Sequence, residues 1–276
     1  MEQLSRVANF PSLLGPETVV HDNLVFRLHH KINFLVIFVG LIFISSQNFL
    51  NEKAIVCSDQ SVYTNHYCWL HASINIPDQL LSQTKCIGDQ GGKNDETKHY
   101  LWLPFILGLC LLIVKIPRYF WTHFCEKGLM ESILQQRSDT EKLSLKFRKL
   151  KRRSFVYFIS FGFCEILNIS SLVACFLLLD QLLGGKYLYY GTNVHNYLMR
   201  KSDLSNNPMC ILFPTEVSCN PASLSKETEE SILCVLSNNQ FNQYYFFIMW
   251  IWWIGLLIIS LIGLLFRLVF NSSVIM

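Results

Sequence analysis

Apolar residues along this chain fall into four blocks, each long enough to cross a bilayer as a helix. Polar and charged residues concentrate between the blocks, whereas a soluble amphipathic helix carries them on one face throughout its length. The blocks cover residues 32–50, 100–116, 155–183 and 244–266. The last block is the clearest, because it has no charged side chain and carries its tryptophans in the half where an aromatic belt is expected.

The first block gives the weakest signal. Its uninterrupted apolar core covers only residues 34–44, and Ser45, Ser46, Gln47 and Asn48 follow. Taken alone, it also fits a buried helix of a soluble protein. We interpret it as a membrane span because the other blocks accompany it.

Composition agrees with a membrane protein. Hydrophobic residues make up 51% of the chain and charged residues only 16%, whereas soluble domains contain about 25% charged residues. This much apolar surface excludes a disordered chain and argues against a soluble enzyme. The predicted fold class is therefore an all-α membrane protein, a four-transmembrane-helix bundle.

Charge sets the orientation. Residues 117–154 contain ten Lys and Arg against four acids, and basic loops favour the cytoplasmic side. The predicted cytoplasmic segments are residues 1–31, 117–154 and 267–276, and the predicted extracellular loops are residues 51–99 and 184–243. The basic run at residues 146–153 is a determinant of this topology, and contact with anionic inner-leaflet lipid is a second interpretation.

Cysteines are distributed in agreement with that orientation. Of ten cysteines, six fall in the two outer loops: Cys57, Cys68, Cys86, Cys210, Cys219 and Cys234. Extracellular cysteines in short loops favour disulfides. The sequence alone leaves many pairings open, but two antiparallel loops emerging from one bundle prefer a nested order. That order is Cys57–Cys234, Cys68–Cys219 and Cys86–Cys210. We expect the other four, Cys110, Cys125, Cys164 and Cys175, to be reduced thiols.

Several polar or unusual residues lie in or beside the spans. Glu165 is a functional candidate, although a protonated or hydrogen-bonded helix contact is the interpretation that we favour. Pro104 removes one backbone hydrogen bond from the second span and predicts a helix kink, either a static bend, which we favour, or a gating hinge. His29 and His30 fit ordinary interfacial histidines, with sensing of cytoplasmic acidification as the alternative.

A series of short motifs, in order along nearly the whole chain, resembles the innexins, the invertebrate gap-junction family related to the pannexins. These motifs are residues 22–33 (DNLVFRLHHKIN), Tyr67-Cys68-Trp69, residues 100–105 (YLWLPF), residues 117–121 (PRYFW), residues 164–168 (CEILN), Leu183-Gly184-Gly185, Tyr190-Gly191-Thr192, Phe213-Pro214 and residues 233–236 (LCVL). The chain departs from the family in three respects. Leu101 replaces a glutamine of the family signature, Cys86 and Cys210 are extra, and the cytoplasmic loop and tail are shorter.

The resemblance implies a large-pore channel, in which about eight subunits close a ring and two rings dock between cells. Hetero-oligomers with other innexins are an alternative to the homo-oligomer, and membrane lipids are further expected partners. In the family, the N-terminal segment enters the pore mouth and the first span lines much of the path. The implied pore-lining residues are Glu2, Gln3, Ser5, Arg6, Asn33, Ser45, Ser46 and Gln47. For each span residue, hydrogen bonding between helices is the alternative.

The leading functional hypothesis is a gap-junction subunit at the plasma membrane, passing ions and small metabolites passively between adjacent cells. Alternatives are an undocked hemichannel that releases small molecules such as ATP, and a subunit that modifies or silences full-length innexins. A four-span adhesion or scaffold protein fits less well, because the outer cysteines divide evenly between the loops. No catalytic constellation or zinc-like histidine spacing is evident, so we expect no enzymatic activity, cofactor, metal or nucleic-acid partner.

Overall fold

The computed structural model of the chain describes residues 24–49, 54–58, 61–72, 76, 84–87, 99–126, 143–200, 207–220 and 231–275. Within that part, four helical segments are long and apolar enough to cross a membrane. We call them spans 1 to 4, and they cover Leu24–Asn48, Leu101–His123, Ile159–Leu182 and Ser237–Arg267. The predicted helical, four-span architecture is therefore confirmed.

The elements follow one another in a simple order. The α-helices are α1 (Leu24–Arg27), α2 (Phe34–Phe49), α3 (Val62–His71), α4 (His99–Phe120), α5 (Leu143–Leu182), α6 (Tyr190–Arg200), α7 (Pro208–Leu212) and α8 (Ser237–Ile275). The strands are β1 (Val56–Cys57), β2 (Glu216–Cys219) and β3 (Ile232–Val235). Two wider π-helical segments, Leu28–Asn33 and Trp121–Glu126, lie at the cytoplasmic ends of spans 1 and 2.

The helices extend beyond the apolar blocks of the sequence. Helix α8 begins at Ser237 rather than at residue 244, and α5 begins at Leu143 rather than at residue 155. Hydropathy ends a block where polar residues begin, but a helix continues as long as its backbone and polar side chains find partners. The basic run at residues 146–153 consequently lies on an extension of α5, inside the segment predicted as a loop.

Span 1 likewise begins earlier than predicted, within the segment assigned to the cytoplasm. Its π-helical segment carries His29, His30 and Asn33, all of which are buried. A hydropathy pattern assigns such polar residues to water. Here their side chains face the bundle, where each finds a partner.

The four spans form a closed bundle. Span 2 packs against spans 1 and 3, and span 4 also packs against both of them. Fully or nearly fully buried apolar side chains fill the centre, among them Ile37, Leu103, Leu107, Leu172, Leu179, Met249 and Trp253. The thiols of Cys110, Cys164 and Cys175 are buried in the spans and form no disulfide.

A small antiparallel sheet lies at one end of the bundle. Its strand order is β1-β3-β2, so the central strand β3 comes from the second loop and pairs with one strand from each loop. In this register Cys57 of β1 lies opposite Cys234 of β3. Because disulfides persist in an oxidising compartment, this end of the bundle faces the outside of the cell.

Two glycines let aromatic side chains of span 4 approach neighbouring backbones closely. A Cβ atom added at Gly40 would overlap the ring of Tyr245, whose hydroxyl donates to the carbonyl oxygen of Val36 at 3.2 Å. A Cβ atom at Gly191 would overlap the ring of Trp250. Small residues at helix contacts allow such close packing in membranes.

This close packing predicts that Gly40→Ala destabilises the protein. The added methyl group must displace the Tyr245 ring and its hydrogen bond, and overpacking of this kind costs about 1–3 kcal/mol. The measurement is thermal unfolding of the purified protein in detergent. Gly255→Ala is the matched control in span 4, because no atom lies within 4 Å of its Cβ position. Equal unfolding temperatures for the two variants would contradict the close contact at Gly40.

Candidate functional site

Three disulfides join the first outer loop to the second. They connect Cys57 to Cys234, Cys68 to Cys219 and Cys86 to Cys210, with Cα–Cα distances of 4.0, 5.7 and 5.0 Å. The pairs are those of the nested order, and every bond crosses between the loops. We call this disulfide-linked unit, formed by α3, α6, α7 and the sheet, the outer head.

The first two disulfides form the interior of the outer head. Cys57 and Cys234 face each other in the sheet, while Cys68 on α3 reaches Cys219 on β2. The four sulfurs lie among buried side chains that include Ile55, Val217 and Leu236. Three of these cysteines are close enough together to resemble a metal site, but each is bonded to another cysteine and offers no thiolate ligand.

The third disulfide attaches the far part of the first loop to α7, and hydrogen bonds beside it reach the edge of the sheet. The backbone N–H groups of Thr215 and Glu216 donate to the carbonyl oxygen of Cys86 at 3.2 and 3.3 Å. The N–H group of Lys85 donates to the Glu216 carboxylate at 2.7 Å. These bonds cover part of the β2 edge, which would otherwise present unpaired backbone groups.

Amide side chains at the start of α8 connect the outer head to the spans. Asn239 donates to the carbonyl oxygen of Pro214 at 2.7 Å, and Gln243 donates to that of Phe213 at 2.8 Å. Asn238 donates to the carbonyl oxygen of Gln47 at the outer end of span 1, at 3.0 Å. The sequence analysis placed these asparagines and glutamines in a loop, and only their run of amides just before the last apolar block hinted at this role.

Two buried tyrosines make a second connection between the head and span 4. Tyr187 donates to the carbonyl oxygen of Phe246 at 3.2 Å, and Tyr190 donates to that of Gln243 at 2.9 Å. Burial raises the pKa of both phenols above the ordinary value. Both hydroxyls therefore remain protonated donors throughout the physiological pH range.

The expectation that Asn33 faces the pore is wrong for the subunit described here. Asn33 is fully buried, and its side-chain oxygen accepts hydrogen bonds from the indoles of Trp252 at 3.2 Å and Trp253 at 2.9 Å. The alternative interpretation, hydrogen bonding between helices, accounts for this residue. Span 4 thus supplies the donors for the buried oxygen of Asn33, while the Asn33 amide nitrogen has no hydrogen-bond partner among the described residues.

The remaining predicted pore residues divide into two groups. Ser45, Ser46 and Gln47 are neither fully buried nor fully exposed at the outer end of span 1, and the Ser46 hydroxyl donates to the carbonyl oxygen of Phe43 at 2.8 Å. A role of these residues in lining a pore stays a prediction. The other group, Glu2, Gln3, Ser5 and Arg6, lies outside the described residues, as does the side chain of Cys125.

Pro104 lies inside α4 without ending it. The helix continues from His99 to Phe120, and Pro104 is buried on the side that faces span 1. A proline in a membrane helix is tolerated because neighbouring helices satisfy the exposed carbonyl group. The role of Pro104 as a static bend, or alternatively as a gating hinge, stays a prediction.

Glu165 forms an ion pair between spans 3 and 4. Its carboxylate lies 2.9 Å from the Arg267 guanidinium, with side-chain exposures of 8% for Glu165 and 21% for Arg267. The guanidinium also stacks over the Phe161 ring, 4.2 Å from its centroid. Glu165 is thus a contact between helices, as the favoured interpretation had it, but its partner is an arginine from the segment predicted as the cytoplasmic tail.

His29 and His30 are buried helix contacts at the cytoplasmic end of span 1. The Nε2 atom of His29 lies 2.7 Å from the Ser260 hydroxyl on span 4, and the Nδ1 atom of His30 lies 2.7 Å from the carbonyl oxygen of Phe26. They lie near the cytoplasmic interface, as the favoured interpretation had it, but the π-helical segment turns their side chains into the bundle.

Comparison with known proteins gives one consistent result. A family model described as Innexin matches residues 22–275. Innexin inx3 of Drosophila melanogaster is 26% identical over 281 residues, which cover 92% of this chain and 70% of that protein. Innexin inx2 of Schistocerca americana is 26% identical over 93% of this chain and 78% of its own length. Innexin inx2 of Drosophila melanogaster is 26% identical over 93% of this chain and 76% of its own length.

The ion pair between Glu165 and Arg267 predicts an asymmetric response to mutation. Glu165→Gln leaves a largely buried guanidinium without its counter-charge. We expect the free energy of unfolding to fall by about 3 kcal/mol, the low end of the usual range, because Arg267 is partly exposed. Thermal unfolding in detergent measures it. The double variant with Arg267→Gln should recover part of the loss. Additive losses for the two single variants would show that the residues do not interact.

Proposed function

The chain belongs to the innexin family, and we propose that about eight copies of it close into a ring that docks with a second ring on the adjacent cell. The protein is a gap-junction channel subunit, a multi-pass membrane protein at cell junctions that passes ions and small metabolites between adjacent cells. Subunit number, docking geometry, hetero-oligomer formation with other innexins and the residues that line the pore are parts of the proposal.

The closed centre of the bundle is the observation that carries the proposal of a ring. Apolar side chains such as Leu107, Leu179 and Trp253 fill the space between the described spans and are fully buried. A file of water and ions cannot pass through such a core, because it is packed like a crystal of small organic molecules. The aqueous path therefore lies between subunits, and a closed cyclic arrangement of identical chains provides one.

Span 1 is the helix that we propose to line this path. Its half-buried polar residues Ser45 and Gln47 lie at the outer end, where contact with water offsets the cost of polar groups in a membrane. The N-terminal residues Glu2, Gln3, Ser5 and Arg6 would line the cytoplasmic mouth. Transport through such a wide pore is passive, down electrochemical gradients.

The outer head supplies the proposed docking surface. Its disulfides and amide contacts hold both loops in one unit before a partner arrives, which lowers the entropy lost on association. Neither outer loop contains an Asn-X-Ser/Thr sequence, so no N-linked glycan is expected between the two rings. Both features favour contact between protein surfaces.

The proposal predicts a voltage-sensitive junctional current between paired cells that lack channels of their own, when both cells express this chain alone. Pairs in which only one cell expresses it are the control, and they should remain uncoupled. Without a junctional current, surface-delivered protein that releases ATP from single cells would support the hemichannel instead. Loss of a full-length innexin's current on co-expression would support a modifying or silencing subunit.

The pore path predicts a difference between two positions of span 1. Ser45→Cys should react with a membrane-impermeant thiol reagent and lose most of its current, because the residue faces the proposed path. Asn33→Cys should be insensitive, because that position is fully buried against span 4. The measurement is the current in single cells or cell pairs before and after the reagent, with the unmodified chain as the background control. Equal sensitivity at both positions would exclude span 1 as the lining helix in this orientation.

A further inference from the structure

A groove open to the outside of the bundle runs between spans 1 and 2. It has a volume of about 640 Å³ and is lined mainly by apolar residues, which include Phe34, Phe38, Leu41, Pro104, Gly108 and Leu112. The helical rise from Phe105 to Lys115 at its two ends is about 15 Å, half of the hydrocarbon thickness of about 30 Å. The groove is therefore about as long as one leaflet is thick. Lys115 lies at its cytoplasmic end, and Phe105 lies about 6 Å of helical rise from the outer end of span 2.

Both helices that form the groove carry basic residues toward its inner end. The Lys115 ammonium lies over the Phe34 ring, 3.8 Å from its centroid, and Lys115 itself lines the groove. Arg118 follows one turn nearer the cytoplasm on the same helix face. On span 1, Lys31 and Arg27 are both exposed and precede Phe34 by about one and two turns. Span 2 packs against the π-helical segment that contains Lys31, so both helices bring cations to this end.

The charges indicate what occupies the groove. Within the four described spans the acidic residues are Glu165 and Asp180. Glu165 is paired with Arg267, and Asp180 accepts from the N–H group of Leu188 on the extracellular side. A described span of a neighbouring subunit consequently offers no carboxylate to Lys115 at this depth. The phosphate of an inner-leaflet lipid offers Lys115 an anionic partner instead, and the acyl chain of the lipid matches the apolar lining.

We propose that this groove binds one anionic phospholipid of the inner leaflet. Its phosphate lies against Lys115 and Arg118, and one acyl chain runs along Phe38 and Gly108 toward Pro104. The lipid thereby bridges spans 1 and 2. The groove occupies the central part of span 1, at Phe34, Phe38 and Leu41, and the proposed aqueous path contacts the same helix face only farther out, at Ser45. The inference does not depend on how many subunits form a ring or whether rings dock.

Gly108 allows a direct test of the acyl-chain part. Gly108 lines the groove, and a Cβ atom added there meets no neighbouring side chain within 4 Å, so the side chain of Gly108→Leu extends into the groove. Gly162→Leu is the matched control on span 3, because its Cβ position is equally open. For the headgroup part, Lys115→Gln removes the charge and Lys115→Arg retains it. Lys186→Gln removes an exposed cation at the other end of the bundle.

The experiment is native mass spectrometry of the purified, delipidated protein titrated with phosphatidylserine or with phosphatidylcholine of the same acyl chains. We expect phosphatidylserine to bind more tightly to the unmodified protein. Lys115→Gln should weaken its binding about fivefold, as expected for the loss of one cation at a membrane surface. Gly108→Leu should weaken the binding of both lipids, whereas Lys115→Arg and both control variants should bind as the unmodified protein does. Because Lys115 is exposed, its variants test the site without disturbing the core.

Two results would overturn the proposal. One is equal affinity for the two lipids together with no effect of Lys115→Gln, which would leave only nonspecific annular contact. The other is efficient disulfide formation between subunits through Leu112→Cys, a groove residue that is 69% exposed. Such a bond would show that a second copy of the chain, not a lipid, covers the groove.

Discussion

The constraint on which this structure depends is that polar groups within hydrocarbon must find partners inside the protein. An unsatisfied polar group in a membrane costs several kcal/mol, and water is not available to replace a missing partner. The spans contain several such groups, and the side-chain hydrogen bonds that join one described span to another mostly involve span 4. Asn33 accepts from two indoles of span 4, His29 meets Ser260, and Arg267 pairs with Glu165 of span 3. These bonds set the register of the helices more specifically than apolar contacts, which tolerate sliding.

Span 4 thus connects the outer head to spans 1 and 3. Its cytoplasmic half holds spans 1 and 3, and its outer half carries the amides and carbonyl groups that hold the outer head. Span 1, the helix proposed to line the pore, is bonded to span 4 at successive depths, through His29, Asn33, Val36 and Gln47. Span 4 therefore connects the outer head to the helix proposed to line the pore through a series of short contacts.

Disulfide bonds stabilise the outer head, whereas buried apolar side chains stabilise the bundle of spans. Outside the membrane, loops have little apolar area to bury, and disulfides that close long segments restrict the unfolded chain. Here the three bonds span sequence separations of 177, 151 and 124 residues, so each joins the two loops rather than stabilising one loop locally. The small sheet likewise joins the two loops, because its strands come from both of them. The cytoplasmic end has no such bonds in its described part, and there aromatic packing around Phe26, Trp121 and Phe161 joins spans 1 to 3.

The sequence by itself determined the four spans, the orientation, the set of outer cysteines and, through ordered motifs, the family. These follow from hydropathy, charge and local pattern, which depend on residues close together along the chain. The nested pairing followed from simple geometry once two antiparallel loops were assumed. Only the tertiary structure decided which polar residues face protein and which face water, since that depends on neighbours more than a hundred residues away. Asn33 was expected at a pore and is buried against Trp253, whereas Ser237 to Gln243 were assigned to a loop and begin a helix. Hydropathy measures the affinity of a side chain for water, but it does not register a hydrogen-bond partner that removes the need for water.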